Sequence, residues 1–213
     1  MKDRKTSGRN QGSVSRSLDS ASQVILLNKP YGVLSQFTPD HPGQRTLQEF
    51  HLPGDLYAAG RLDQDSEGLL LLTNDGALIK RLLDPEHAHP RKYLVQVEHV
   101  PTPEALQALA MGVTIGGYQT RPAEVQLLDV PPDVPERTPA IRVRKHIPTA
   151  WLRLTLREGK NRQVRRMTAA VGHPTLRLIR ESILDLTLAG LSVGAWRKLS
   201  VEEIKKLKRL LQL

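Results

Sequence analysis

Cysteine is absent from this chain, which excludes disulfide frameworks, thiolate zinc sites and thiol nucleophiles together, and nothing points to an oxidising compartment. Aromatic residues make up only 4%, so a core has to be built from Leu, Val, Ile and Ala. The 39% hydrophobic content suffices for that in 213 residues, whether as one large domain or two small ones. No apolar stretch approaches the roughly 20 residues that span a bilayer, and the N-terminus lacks a signal-peptide core. A soluble, cytoplasmic protein without a membrane partner is expected. Serine-hydrolase motifs, glycine-rich phosphate loops and the dinucleotide fingerprint are all missing. The seven histidines lack the paired spacing of a zinc site.

Acid is scarce in one place. From Arg137 to Arg166 ten Lys/Arg face a single acid, Glu158, an excess that equals the +9 of the whole chain. Basic charge concentrated in one segment is the footprint of a phosphate backbone, although an anionic membrane surface or plain solubility would use it too. Met1 to Ser22 holds six serines, five Lys/Arg and no aromatic residue. It cannot bury enough surface to fold alone and is expected to be a disordered basic tail.

Apolar patterning supplies the elements. Val24 to Leu27 reads as a short strand running into Asn28-Lys29-Pro30-Tyr31-Gly32, a turn cluster that sets Lys29 and Tyr31 at a rim. Thr46 to Phe50 reads as one helical turn, Leu56 to Ala59 and Leu69 to Leu72 as strands, and Ala77 to Leu83 as a short helix. Lys92 to Glu98 alternates, with Tyr93, Val95 and Val97 on one face, so it is a strand. Thr102-Pro103-Glu104 supplies an N-cap, an N1 proline and a first-turn acid for a helix that ends at Gly112. Val113 to Ile115, Glu124 to Leu128, Trp151 to Arg157, Thr175 to Ile179 and Trp196 to Leu199 read as further strands, and the four prolines in Pro131 to Pro139 mark a connector. Arg162 to Val171 is predicted helical and capped by Asn161, with Val164, Met167 and Val171 on one side and Arg162, Arg165 and Arg166 as a cationic comb on the other. Ser200 to Glu203 is a capping box for a terminal helix striped with Val201, Ile204, Leu207 and Leu211. Strands outnumber helices and their connections are mixed, which predicts an α+β fold with a mixed, largely antiparallel central sheet flanked by helices.

Gly60 to Gly76 is the stretch with the densest chemistry. Asp63, Asp65, Glu67 and Arg61 fall between two glycines just ahead of the buried run Leu69 to Leu72. A polar loop set on a buried strand is a common place for catalysis, and acid-rich turns are also common as solvated caps. An aspartate kept ionised and oriented by an arginine is a sensible nucleophile or base. Tyr93 reads either as a half-buried strand residue or as a ring for stacking, and Arg165 either as a solvated helix face or as a partner for the acid.

Four stretches together resemble a known family. They are Gly60 to Gly76, Asn28-Lys29-Pro30-Tyr31-Gly32-Val33-Leu34, Lys92-Tyr93-Leu94-Val95-Gln96-Val97 and Glu158-Gly159-Lys160-Asn161-Arg162-Gln163-Val164-Arg165-Arg166-Met167. In that wording and order the chain is similar, over Val24 to Leu199, to the RsuA-type branch of RNA pseudouridine synthases. The resemblance implies that Asp63 is the essential aspartate, Tyr93 the tyrosine over the target base, Arg165 the basic partner of Asp63, and Arg61 the residue that helps displace the nucleotide. Lys29, Lys160, Arg162 and Arg166 are expected to contact RNA. The implied reaction detaches a uridine already in RNA at its N1 glycosidic bond and rejoins it through C5, with no cofactor and no metal. Large-subunit ribosomal RNA is the expected substrate and a monomer the expected state. The expected layout is the tail over residues 1–22, a catalytic domain over 23–200 without an S4 RNA-binding domain before it, and a C-terminal helix over 201–213. Two other classes fit parts of the pattern: a noncatalytic RNA-binding or ribosome-assembly protein on the same scaffold, and a glycoside hydrolase pairing Asp63 with Asp65 or Glu67.

Overall fold

The computed structural model describes residues 22–141 and 147–213. Residues 1–21 of the expected tail lie outside the described residues, as do Arg142, Arg144 and Lys145 of the basic segment. In chain order the elements are β1 (Val24–Lys29), β2 (Tyr57–Ala58), β3 (Glu67–Thr73), α1 (Gly76–Leu83), β4 (Arg91–Glu98), α2 (Pro103–Met111), β5 (Thr114–Ile115), β6 (Tyr118–Gln119), β7 (Glu124–Leu127), β8 (Thr149–Leu156), α3 (Gln163–Ala170), β9 (Thr175–Ile183), β10 (Leu186–Thr187), β11 (Trp196–Lys198) and α4 (Val201–Leu210). A 3₁₀ turn, Leu47–Phe50, sits where one helical turn is expected. The main sheet runs β11-β1-β3-β9-β4-β8-β7, with β2 on β3 and β10 on β9. Its pairings among the described residues are antiparallel except β3 with β9, so the mixed, largely antiparallel sheet is as expected.

Strand β3 explains its own central place. All seven residues are buried, as a strand covered on both faces requires, and four consecutive leucines satisfy both sides at once. Leu69 and Leu71 join Val24 and Leu26 against Leu78 and Leu82 of α1 and Leu207 of α4. Leu70 and Leu72 join Ile25 and Leu27 on the other face, over Val33, Leu47 and Leu56. The β4–β8 half carries a separate cluster, in which Val95, Val97, Leu152 and Leu154 pack on Leu109 of α2 and Val164 and Met167 of α3. Among the described residues no helix is long and apolar enough to cross a membrane.

The two halves meet at the parallel pairing of β3 with β9, Glu67 beside Ile179 and Gly68 beside Arg180. Gly68 has φ +104°, and a Cβ there would overlap the Arg180 carbonyl. Only glycine lets the strands come this close.

Several boundaries differ from expectation for identifiable reasons. β9 extends to Ile183 instead of stopping at Ile179, because Arg180 and Ser182 are buried polar residues inside a strand and interrupt its apolar pattern. β6 and β10 have no counterpart among the expected strands; two residues are too short to show a period. Asn161 does not cap α3. Arg162 occupies the cap position in the left-handed region, φ 51°, without a side-chain bond. The turn is closed instead by Gln163, whose side-chain oxygen accepts from the Lys160 N–H at 2.9 Å. In α4 the capping box forms as read, but Val201 is exposed and Leu207 carries the burial.

Candidate active site

Residues 60–66 join β2 to β3, and contacts from the Asn28–Leu34 turn region and from Ser35 fix their path. The Gly32 N–H donates to the Gln64 carbonyl at 2.8 Å, and the Gln64 side chain donates back to the Gly32 carbonyl at 3.2 Å. Ser35 Oγ donates to the Leu62 carbonyl at 2.8 Å and accepts from the Leu62 N–H at 3.0 Å. Within the loop the Ser66 N–H donates to the Asp63 carbonyl at 3.0 Å, closing a tight turn. Lys29 does not stand at a rim. It is 0% exposed, and Nζ donates to the Val33 and Pro30 carbonyls at 2.7 and 3.0 Å. The expected RNA contact by Lys29 is therefore corrected: its charge lies beneath the loop, out of reach of a polynucleotide. Burial pushes its ammonium down from 10.5 to about 7, with the charge of Glu67 opposing this and that of Arg180 reinforcing it.

The ion pairs divide the acids of the loop. Arg165 is expected beside Asp63, but its Nε faces Asp65 Oδ2 at 3.3 Å, and its two Nη groups donate to the carbonyls of Asp65 (2.6 Å) and Thr175 (3.2 Å). Arg162 adds a two-pronged bond to Asp65 at 3.0 and 2.8 Å and lies 3.6 Å from Asp63 Oδ2. The cationic comb is thus split, because α3 turns Arg165 into the protein with only 13% of its side chain exposed. Burial pushes the Asp65 carboxyl up, and the Arg162 hydrogen bond with the Arg165 and Arg162 charges more than reverses this, leaving it below the ordinary range. Glu67 is sealed against Arg177 by two 2.8 Å bonds. Asp65 and Glu67 are both tied to guanidiniums, so no second unpaired carboxylate of the loop stands beside Asp63, which removes the paired-carboxylate hydrolase.

Asp63 keeps 36% of its side chain exposed and lies on the wall of a cleft of about 510 Å³. Arg61, Tyr93, Lys160, Arg162 and Arg180 line the same cleft, over apolar Leu156, Val164 and Leu178. Arg165 does not line it and acts from behind the loop. Lys160 stands over the Tyr118 ring at 4.4 Å, and among the described residues neither it nor the exposed Arg166 carries an ion pair. Other cations of the basic segment are paired with carboxylates of neighbouring strands, Arg153 with half-buried Glu181 at 3.0 Å and, at the surface, Arg157 with Glu124 at 3.3 Å.

Two site residues escape a pattern reading. Glu158, the single acid of the basic segment, is buried and accepts from the Tyr118 hydroxyl (2.6 Å), the Arg121 N–H (2.9 Å) and the Gln163 amide (2.6 Å). It anchors the loop that presents Lys160 and Arg162, and its isolation among ten cations was the available signal. Arg180, directly opposite Tyr93 across β4 and β9, left no signal beyond an arginine in an apolar neighbourhood. The described residues hold no group of three His, Cys, Asp or Glu fit for a metal. A reachable carboxylate beside a ring, cations and an apolar floor suits one base and its phosphates.

Known proteins share this arrangement of sequence. The family described as RNA pseudouridylate synthase matches residues 23–170. The chain is 60% identical over 170 residues to ribosomal large subunit pseudouridine synthase E of Xanthomonas axonopodis pv. citri (strain 306), covering 79% of this chain and 90% of that protein. It is 49% identical over 179 residues to the protein of the same name in Vibrio parahaemolyticus serotype O3:K6, covering 84% and 74%. Among solved structures it resembles one titled "Crystal structure of pseudouridylate synthase", with a TM-score of 0.73 at 31% identity over 89% of this chain and 75% of that one.

Proposed function

Because the chain belongs to the RNA pseudouridylate synthase family, we propose that it isomerises a specific uridine of large-subunit (23S) ribosomal RNA to pseudouridine in the cleft around Asp63. The close relatives bear the large-subunit name, and the observation that carries the site is local. Asp63 is the one carboxylate of its loop that lines the cleft, which also holds Tyr93 and Arg61. The flanking acids are consumed by guanidiniums.

The target uridine leaves its stack, costing a few kcal/mol, and stacking of the uracil on Tyr93 together with insertion of Arg61 into the vacancy offsets part of this. Lys160, Arg162 and Arg166 take phosphates, a salt-sensitive contribution. Asp63 then acts on the ribose, attacking C1′ or removing a sugar proton. Either role needs an ionised carboxylate held still. The Arg162 and Arg165 bonds to Asp65 hold the loop in place. The C1′–N1 bond breaks, the uracil turns, and C5 bonds to C1′; C5 loses a proton and N1 gains one, so the sum is an isomerisation that consumes nothing.

The test is direct. Unmodified 23S and 16S transcripts are incubated with the protein, and pseudouridine is mapped by carbodiimide marking and primer extension. A new stop in 23S RNA alone is expected. Absence of any stop, or a stop in 16S RNA only, overturns the proposal.

A further inference from the structure

We propose, resting on the function above, that Arg180 is a further catalytic residue, whose unpartnered Nη2 donates a hydrogen bond to a carbonyl oxygen of the displaced uracil and stabilises the negative charge the base carries while detached. Arg180 lines the cleft yet is only 3% exposed. Its Nε is spent on the Leu69 carbonyl at 2.7 Å, which fixes the plane of the guanidinium. Nη2 is buried and has no hydrogen-bond partner. A buried, unmatched donor is costly and rare in a folded protein. Among the described residues its charge also lacks a carboxylate: Tyr93 lies within hydrogen-bonding reach of the guanidinium, and the charges of Arg91 and Lys29 repel it. An uncompensated cation with a free N–H, fixed at the wall of a cleft, is the arrangement that receives developing negative charge without reorganising.

Register supplies the geometry. Arg180 pairs with Tyr93 across β4 and β9, so the two side chains stand as neighbours on one face of the sheet. A uracil stacked on the Tyr93 ring brings an edge to the guanidinium. When C1′–N1 breaks, the bonding pair leaves with the base and spreads over N1, O2 and O4. The guanidinium keeps its protons and only donates a hydrogen bond, so the step stays balanced. Burial lowers the pKa of Arg180, with Tyr93 opposing and Arg91 reinforcing this, which makes its N–H a stronger donor.

The experiment pairs enzyme variants with altered bases. A fragment of the large-subunit transcript containing the position that wild type modifies is made with uridine, 2-thiouridine or 4-thiouridine there, and single-turnover rates and RNA Kd are measured for wild type, Arg180→Met and Arg180→Lys. Arg180→Met should lose about 10²–10³-fold in rate, as removal of one preorganised donor does, with Kd changed less than about threefold. Sulfur accepts hydrogen bonds weakly, so thio-substitution at the contacted oxygen should slow wild type by a larger factor than Arg180→Met, and the other thio-base should slow both alike. If Arg180→Met does not give a cooperative melt, Arg180→Lys carries the comparison, with a smaller rate loss and a blunted thio-effect. A rate within about threefold of wild type, or equal thio-effects in wild type and variant for both bases, overturns the role of Arg180 while leaving the proposed function standing. Absence of pseudouridine with wild type on the uridine transcript overturns that function, and the role of Arg180 with it.

Discussion

Arg177 and Arg180 are buried guanidiniums three residues apart on β9, and strand alternation sends them to opposite faces of the sheet. Arg177 is matched by both oxygens of Glu67. Arg180 has one carbonyl and an idle Nη2. The acid loop repeats the contrast two residues apart, since Asp65 is held by two arginines while Asp63 has a single contact at 3.6 Å. In both places the saturated charge belongs to the framework and the under-coordinated one faces the cleft. Paired charges hold β9 and α3 to the loop so that the unpaired ones keep fixed positions.

Breaking the framework side should give the largest effect on stability. Glu67→Gln strands Arg177 in the interior, and a thermal melt should show a loss of about 3–5 kcal/mol, while Glu67→Leu with Arg177→Met restores most of it. Equal melts for wild type and Glu67→Gln would make the pair ornamental. Arg165→Leu acts through position, freeing the Asp65 carbonyl and carboxylate. Single-turnover rate should fall about 100-fold with RNA Kd within about threefold; a loss of binding as large as the loss of rate would place Arg165 on the RNA instead.

A pH-dependent probe is the buried Lys29. Its folded pKa of about 7 lies below the ordinary 10.5, so the unfolded chain binds more protons between these values. The penalty is fully present below pH 7 and eases as pH rises to 10.5. Denaturant titrations should show wild type gaining up to about 1.4 kcal/mol per pH unit across that window relative to Lys29→Met. Parallel curves for the two proteins would show that Lys29 keeps an ordinary pKa. The smallest effect belongs to Lys160→Ala, which should weaken RNA binding a few-fold and reduce the salt slope by about one, with the bound rate unchanged. An unchanged slope would take Lys160 off the phosphates.

The framework was legible where period and cap chemistry are local. The alternation in β4, the leucine run of β3, the proline-opened α2 and the capping box of α4 all stand where the residues put them. The acid loop was legible as a chemical cluster. Its pairing was not, because Arg165 and Asp65 are 100 residues apart and nothing local distinguishes Asp65 from Asp63 as the recipient. Lys29 looked like a rim cation because it leads into a polar Pro-Tyr-Gly turn, and the carbonyls that hold it inside, Pro30 and Val33, come from that same stretch. Arg180 was hidden for a related reason: a strand that buries charged residues loses the apolar signature by which strands are found.

The central claim is that Asp63 performs the chemistry on the ribose, while the neighbouring carboxylates Asp65 and Glu67 only hold its loop in place. Wild type and Asp63→Asn should be compared on one large-subunit transcript, measuring pseudouridine formed and RNA Kd together. The account predicts no detectable pseudouridine with the variant and a Kd within about threefold of wild type, because no phosphate contact is lost. Pseudouridine formed by Asp63→Asn at the wild-type rate would contradict it.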